Sequence, residues 1–117
     1  MQFAALDFCL IVRAVADSWS RPAAGKMLQF SQDCPDGPIW INGDQGALER
    51  LVTILLDNAL KYTPSGGSVT VSLSEKRGLA ELTVTDTGIG IAPEHHRKIF
   101  ERFYRVDDAR SRLTGGS

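Results

Sequence analysis

Glu81-Leu82-Thr83-Val84-Thr85-Asp86-Thr87-Gly88-Ile89-Gly90-Ile91 is the stretch whose reading decides the fold. Ala80, Leu82 and Val84 alternate with Glu81, Thr83 and Thr85, which is the period of a half-buried strand. Residues two apart share a face, so Asp86 falls on the face of Leu82 and Val84 and points toward the core. A carboxylate in that position needs a partner or a function, because desolvating it alone is expensive. Gly88 and Gly90 then remove side chains from the following turn, so backbone can approach something flat or charged. On these residues alone, a strand-to-loop turn that merely uses Asp and Gly stands as the alternative.

Working outward, Ser68–Ser74 alternates strictly with Val69, Val71 and Leu73 inward, and Glu75-Lys76-Arg77-Gly78 makes a hairpin into the strand above. Upstream lies the clearest helix of the chain. Leu48, Leu51, Val52, Leu55, Leu56, Ala59 and Leu60 fit the helical template, with Asp44 as its N-cap. At about 100° per residue, Ile54, Asn58 and Lys61 fall in one strip along the border of that apolar face, which predicts a half-buried Asn58. Tyr62-Thr63-Pro64-Ser65-Gly66-Gly67 breaks the helix.

Closer to the N-terminus, Phe8, Ile11, Val12, Val15, Ala16 and Trp19 form a second amphipathic helix, capped by Asp7. Pro22 is expected to end or kink it near Arg21, with room for a short further turn over 23–26. Residues 28–32 and 38–42 read as two short strands around the turn cluster Cys34-Pro35-Asp36-Gly37-Pro38. Beyond Ile91, Pro93 and Glu94 suit the first turn of a helix that ends in an aromatic cluster of Ile99, Phe100, Phe103 and Tyr104. On that reading His95 and His96 are exposed helix residues. Arg105–Ser117 is polar and reads as a mobile tail. The sum is an α+β fold of two layers, helices on one face of a mixed, mostly antiparallel sheet.

Composition bounds the function. With 117 residues and 43% hydrophobic content, the chain suits one globular domain over 1–117. The net charge of −1, with both signs interspersed, points to no nucleic-acid groove and no direct membrane contact. Apolar runs are too short to span a bilayer, and the start lacks the basic and apolar regions of a signal peptide. Cys9 and Cys34 have no metal spacing and make no disulfide framework, which suits a reducing compartment and a cytoplasmic location.

Asp86-Thr87-Gly88-Ile89-Gly90-Ile91 resembles the first glycine box of the superfamily that includes histidine kinases, gyrase, Hsp90 and MutL. Leu55-Leu56-Asp57-Asn58-Ala59-Leu60-Lys61-Tyr62-Thr63-Pro64 resembles the asparagine box of sensor histidine kinases, and Phe100-Glu101-Arg102-Phe103-Tyr104-Arg105 their phenylalanine box. The resemblance implies a Bergerat-type ATP-binding domain of a two-component kinase. Such a domain binds Mg²⁺ and ATP and donates the γ-phosphate to a histidine on a separate dimerisation hairpin, here expected just before Leu6–Asp7. A response regulator is the implied downstream partner, and parent kinases of this family are commonly membrane-anchored.

Carried over position by position, Asn58 coordinates Mg²⁺ and Asp86 accepts the exocyclic amine of adenine. Gly88 and Gly90 let backbone lie against the nucleotide, and Ile91 lines the base pocket. Lys61 meets phosphate, Tyr62 packs against adenine, and Arg105 reaches the terminal phosphate when a lid closes. Asn58, Lys61 and Arg105 are thus the implied catalytic set. Taken without the motifs, Asn58 reads as a helix residue bonded to a loop carbonyl, Lys61 as solvated surface and Tyr62 as a rim residue.

Two departures qualify the resemblance. Position 54, often Asn in the family and Glu in its hydrolytic members, is Ile54, which cannot act as a base. That favours phosphotransfer over hydrolysis. The chain also stops at Ser117, where relatives continue into a second glycine box, a helix and two strands. This leads to the expectation of a C-terminally incomplete fold with an exposed sheet edge, through which the chain would dimerise. A truncated, non-catalytic nucleotide-binding or self-associating fragment, and an anti-sigma serine kinase relative, are the alternatives.

Overall fold

The structure, a computed structural model, describes residues 4–88 and 93–101. Eight elements follow one another: β1 (Ala4–Asp7), α1 (Phe8–Gly25), β2 (Gln29–Asp33), β3 (Trp40–Gly43), α2 (Gln45–Tyr62), β4 (Ser68–Lys76), β5 (Leu79–Thr87) and β6 (Glu94–Glu101). Four strands form a mixed sheet in the order β2-β4-β5-β6, and β1 and β3 form a separate antiparallel pair. β2 runs parallel to β4, and the other two pairings in the larger sheet are antiparallel. Both helices pack on the sheet and on each other, which is the two-layer α+β arrangement expected from the sequence.

The β4–β5 hairpin is the centre of the core. Val69, Val71, Leu73, Ala80, Leu82 and Val84 are all buried, each on the face that meets the helices. Their tight turn has Arg77 at φ 52° and Gly78 at φ 79°, two successive left-handed residues of the kind that match the twist of a two-residue hairpin. On the helix side, α2 buries Leu48, Val52, Leu56, Ala59 and Leu60. Asp44 caps it by accepting from the Ala47 amide at 2.9 Å. Asp7 caps α1 from Cys9 N at 3.0 Å and also accepts from Ile39 N at 3.2 Å, so one carboxylate ties the start of α1 to the approach to β3.

Two expectations need correction. Pro22 does not end α1, which continues to Gly25. Proline removes one amide donor, but beyond it Ala23 is fully buried and the Lys26 amide bonds back to the Pro22 and Ala23 carbonyls, so packing holds the last turn. The helix expected after Pro93 is instead strand β6, paired with β5 from Leu79↔Glu101 to Asp86↔Glu94. Glu94-His95-His96-Arg97-Lys98 has no apolar stripe for a helix to bury. Pairing satisfies the backbone edge of β5, and it sets the Phe100 ring edge-on to Phe8 with centroids 5.0 Å apart. β1, four residues without alternation, carried no local signal and exists through its pairing with β3. Phe103, Tyr104 and the polar tail lie outside the described residues.

Both helix exits are closed by specific bonds. Past Lys26, the Leu28 and Met27 amides bond to the Ala23 and Ala24 carbonyls, a Schellman closure with Met27 in the left-handed region at φ 63°. Lys26 Nζ then donates to the carbonyls of Leu60 and Lys61, covering the C-terminal end of α2. Gly67 lies where α2 hands over to β4. A Cβ there would collide with the Thr87 carbonyl oxygen and meet Thr63 Cγ2 at 2.7 Å.

Gly67→Ala is therefore expected to lower stability by roughly 1–3 kcal/mol or more, since the crowding atoms include backbone that cannot yield. Met27→Gly is expected to raise it by about 1 kcal/mol, relieving a left-handed residue whose side chain is 75% exposed. Urea unfolding of each variant against the parent chain measures both.

Candidate nucleotide site

Burial of Ala80, Leu82 and Val84 on one face of β5 dictates where Asp86 goes. It continues that face past the end of the hydrophobic run, opposite Val69 in β4, and its side chain keeps only 20% exposure. Across from it, the last two turns of α2 present Leu55, Asn58, Ala59 and Tyr62. Between them lies a cavity of about 350 Å³, also lined by Thr63, Pro64, Gly88, Glu94 and His96. The volume is within the usual range for small-molecule sites.

The walls differ in character. Leu55 and Ala59 give an apolar side. Buried Thr63 spends its hydroxyl on the Ala59 carbonyl at 2.6 Å, so it adds no unpaired polar atom. Asn58 is exposed, not half-buried as its place on the strip predicted, because the strip Ile54, Asn58, Lys61 faces solvent along its length. Among the described residues its amide has no hydrogen-bond partner. Tyr62 is 77% exposed and stands at the mouth of the cavity as a free aromatic face.

Four of the residues singled out in the sequence, Asn58, Tyr62, Asp86 and Gly88, thus meet around one cavity. Lys61 does not line it. It sits on the exposed side of the last turn of α2, with its backbone carbonyl held by Lys26. Gly90, Ile91 and Arg105 lie outside the described residues. Neither cysteine lines the cavity, and burial pushes both thiols up from their ordinary range, so they stay protonated near neutral pH.

Two lining residues were missed by sequence reasoning. His96 Nε2 lies 3.2 Å from Asp86 Oδ2 and 3.9 Å from Glu94 Oε2. His96 faces Val84 and Glu94 faces Asp86 in the β5–β6 register, so both project to the helix side of the sheet. Their neighbours His95 and Arg97 point the other way, to Thr85 Oγ1 at 3.0 Å and Glu81 Oε2 at 3.8 Å. No local signal marks this placement, because it follows from long-range pairing of a segment whose ends imitate a helix start.

Comparison with known proteins defines the family of the fold. Residues 43–117 match the family model described as histidine kinase-, DNA gyrase B-, and HSP90-like ATPase. The chain is 41% identical over 107 residues to the sensor histidine kinase RppB of Synechocystis sp., an alignment covering 92% of this chain and 24% of that protein. It therefore spans about a quarter of the length of this relative. Among solved structures, the mycobacterial sensor histidine kinase MprB superposes with a TM-score of 0.64 at 32% identity, covering 78% of this chain and 59% of that one. Full-length ShkA in complex with AMPPNP superposes with a TM-score of 0.66 at 27% identity, covering 75% and 19%. The chain belongs to the histidine kinase-, DNA gyrase B- and HSP90-like ATPase family, and the relative RppB is a sensor histidine kinase. Among the described residues, no helix is long and apolar enough to cross a membrane.

The Asp86–His96 pair is half open to water on its histidine side, 49% exposed. Such pairs hold little energy, so His96→Ala is expected to change stability by less than about 1 kcal/mol, read by urea unfolding.

Proposed function

We propose that residues 1–117 act as one ATP-binding domain that binds Mg·ATP in the cavity between α2 and the end of β5. The γ-phosphoryl group then passes to a histidine on a separate helical hairpin, leaving ADP. The observation that carries this reading is the convergence of Asn58, Tyr62, Asp86 and Gly88, from two motifs far apart in sequence, on one cavity.

Each residue has a role its surroundings suit. Asp86 continues a buried face with an acceptor carboxylate, which fits an exocyclic amine at the inner end of a base pocket. Leu55 and Ala59 offer an apolar wall for a ring, and Tyr62 an aromatic plane at the mouth. Gly88 presents no side chain where the chain leaves β5. Asn58, one turn of α2 closer to solvent, offers an amide oxygen of the hard type magnesium accepts, and the ion needs few protein ligands when phosphates supply the rest. Bound there, Mg²⁺ would neutralise phosphate charge. Lys61, a single turn further along the helix, gives a mobile cation for the phosphates from outside the cavity. Gly90, Ile91 and Arg105 complete the set by family correspondence, as backbone contact, pocket lining and terminal-phosphate contact.

The domain's task is placement and charge stabilisation, since phosphoryl transfer asks for little covalent chemistry from the protein. Ile54, 50% exposed on the same strip, offers no base to activate water, which supports transfer over hydrolysis. A nucleotide analogue in ShkA and the kinase identity of RppB support the assignment by relationship. The reading puts the domain in the cytoplasm, with a response regulator as the final phosphoryl acceptor.

Calorimetric titration of the chain with Mg·ATP tests it. Saturable binding is expected, weakened at least about tenfold in both Asn58→Ala and Asp86→Asn, or about 1.4 kcal/mol in each. Absence of binding to the folded chain, or binding indifferent to both substitutions, overturns the reading.

A further inference from the structure

We propose that Asp86, Glu94 and His96 form a binding site for a divalent transition-metal ion of the zinc class. One imidazole nitrogen and one oxygen from each carboxylate lie within 4.8 Å of one another. The site is built by the β5–β6 ladder, not by a flexible loop. Asp86 and Glu94 are direct cross-strand partners, and His96 sits two residues along β6 on the same face. Paired backbones therefore hold all three side chains toward one point.

Two carboxylates placed directly opposite each other on a sheet repel, and the arrangement becomes favourable when a cation is shared between them. His96 supplies that charge only when protonated. A metal ion supplies it with the imidazole neutral, using the same nitrogen as a ligand. Ligand bonds of about 2.0–2.1 Å in a tetrahedral site place donor atoms about 3.3 Å apart. The His96–Asp86 separation of 3.2 Å already matches, and the 3.9 Å to Glu94 closes through a small movement of a side chain that is 71% exposed. Mixed nitrogen and oxygen donors suit zinc, cobalt or nickel, whereas magnesium and calcium prefer oxygen alone. Three protein ligands leave a coordination position open toward the cavity.

The site is distinct from the Asn58 amide proposed for magnesium, yet it uses the carboxylate proposed to read adenine. Resting on that nucleotide reading, metal bound here withdraws Asp86 from the base and lowers the affinity for Mg·ATP.

Zinc chloride titrated into the 117-residue chain by calorimetry, without nucleotide and at mildly alkaline pH where free imidazole is neutral, tests the site. One equivalent is expected to bind saturably, with affinity reduced at least about tenfold in His96→Ala and in Glu94→Gln, and unchanged in Cys34→Ser. Cobalt(II) should give the visible absorption of a low-coordinate nitrogen and oxygen site that His96→Ala removes. Circular dichroism confirms that each variant is folded. No saturable binding, binding indifferent to both ligand substitutions, or binding lost in Cys34→Ser overturns the proposal. Repeating the Mg·ATP titration with zinc present reads the competition separately. Failure of ATP to bind in zinc-free buffer refutes the nucleotide reading, while zinc binding without nucleotide still decides whether the metal site exists.

Discussion

The register between β4 and β5 is the constraint on which the rest of this structure depends. Nine residue pairs, from Ser68↔Thr87 to Lys76↔Leu79, are closed by a turn that admits only one alignment, with Arg77 and Gly78 both left-handed. A slip of β5 by one residue would turn Leu82 and Val84 to the open face and bury Thr83 and Thr85 in their place. That cost fixes the face of every side chain along the two strands. Asp86 inherits its position from this ladder, one step beyond the last buried valine. The carboxylate at the head of the cavity is thus held by hydrophobic burial several residues away.

The opposite wall is set by α2 in the same manner. Val52, Leu56, Ala59 and Leu60 anchor the helix to the sheet, and helical geometry then puts Leu55, Asn58 and Tyr62 along the border of the buried stripe. Polar groups at such a border remain accessible while the helix beneath them cannot rotate. The C-terminal end is locked as well, since Lys26 covers the Leu60 and Lys61 carbonyls and Gly67 lets β4 begin against Thr87 without steric conflict. A rigid helix end facing a rigid strand end gives a preorganised cleft, which limits the ordering cost of binding.

β6 brings a third element to the cavity and changes its electrostatics. By covering the outer edge of β5 it sets Glu94 and His96 beside Asp86, so the carboxylate faces one acid and one imidazole instead of open solvent. A group in that setting answers to cations as well as to hydrogen-bond donors. The nucleotide reading and the metal site proposed above therefore share one side chain, Asp86.

Local patterns in the chain determined much of this. The alternation through residues 68–74 and 80–86, the helical stripe from Leu48 to Leu60 and the caps Asp7 and Asp44 are short-range signals, and each is found where its period predicts. The approach of Asn58, Tyr62, Asp86 and Gly88 was legible because both motifs sit at the ends of strongly patterned elements. The tertiary structure alone decided the rest. Pro22 lies inside a helix because Ala23 is buried against the core, a contact no local rule contains. Asn58 is exposed and Lys61 stands outside the cavity because the position of the border strip depends on how α2 is rolled on the sheet. β1 and β6 exist by pairing with distant partners, and in residues 94–98 the acidic start after a proline gave a helix signal with no apolar face behind it. Backbone groups at an open strand edge gain more from a ladder than a polar segment gains from a solitary helix, and that preference is invisible until the edge exists.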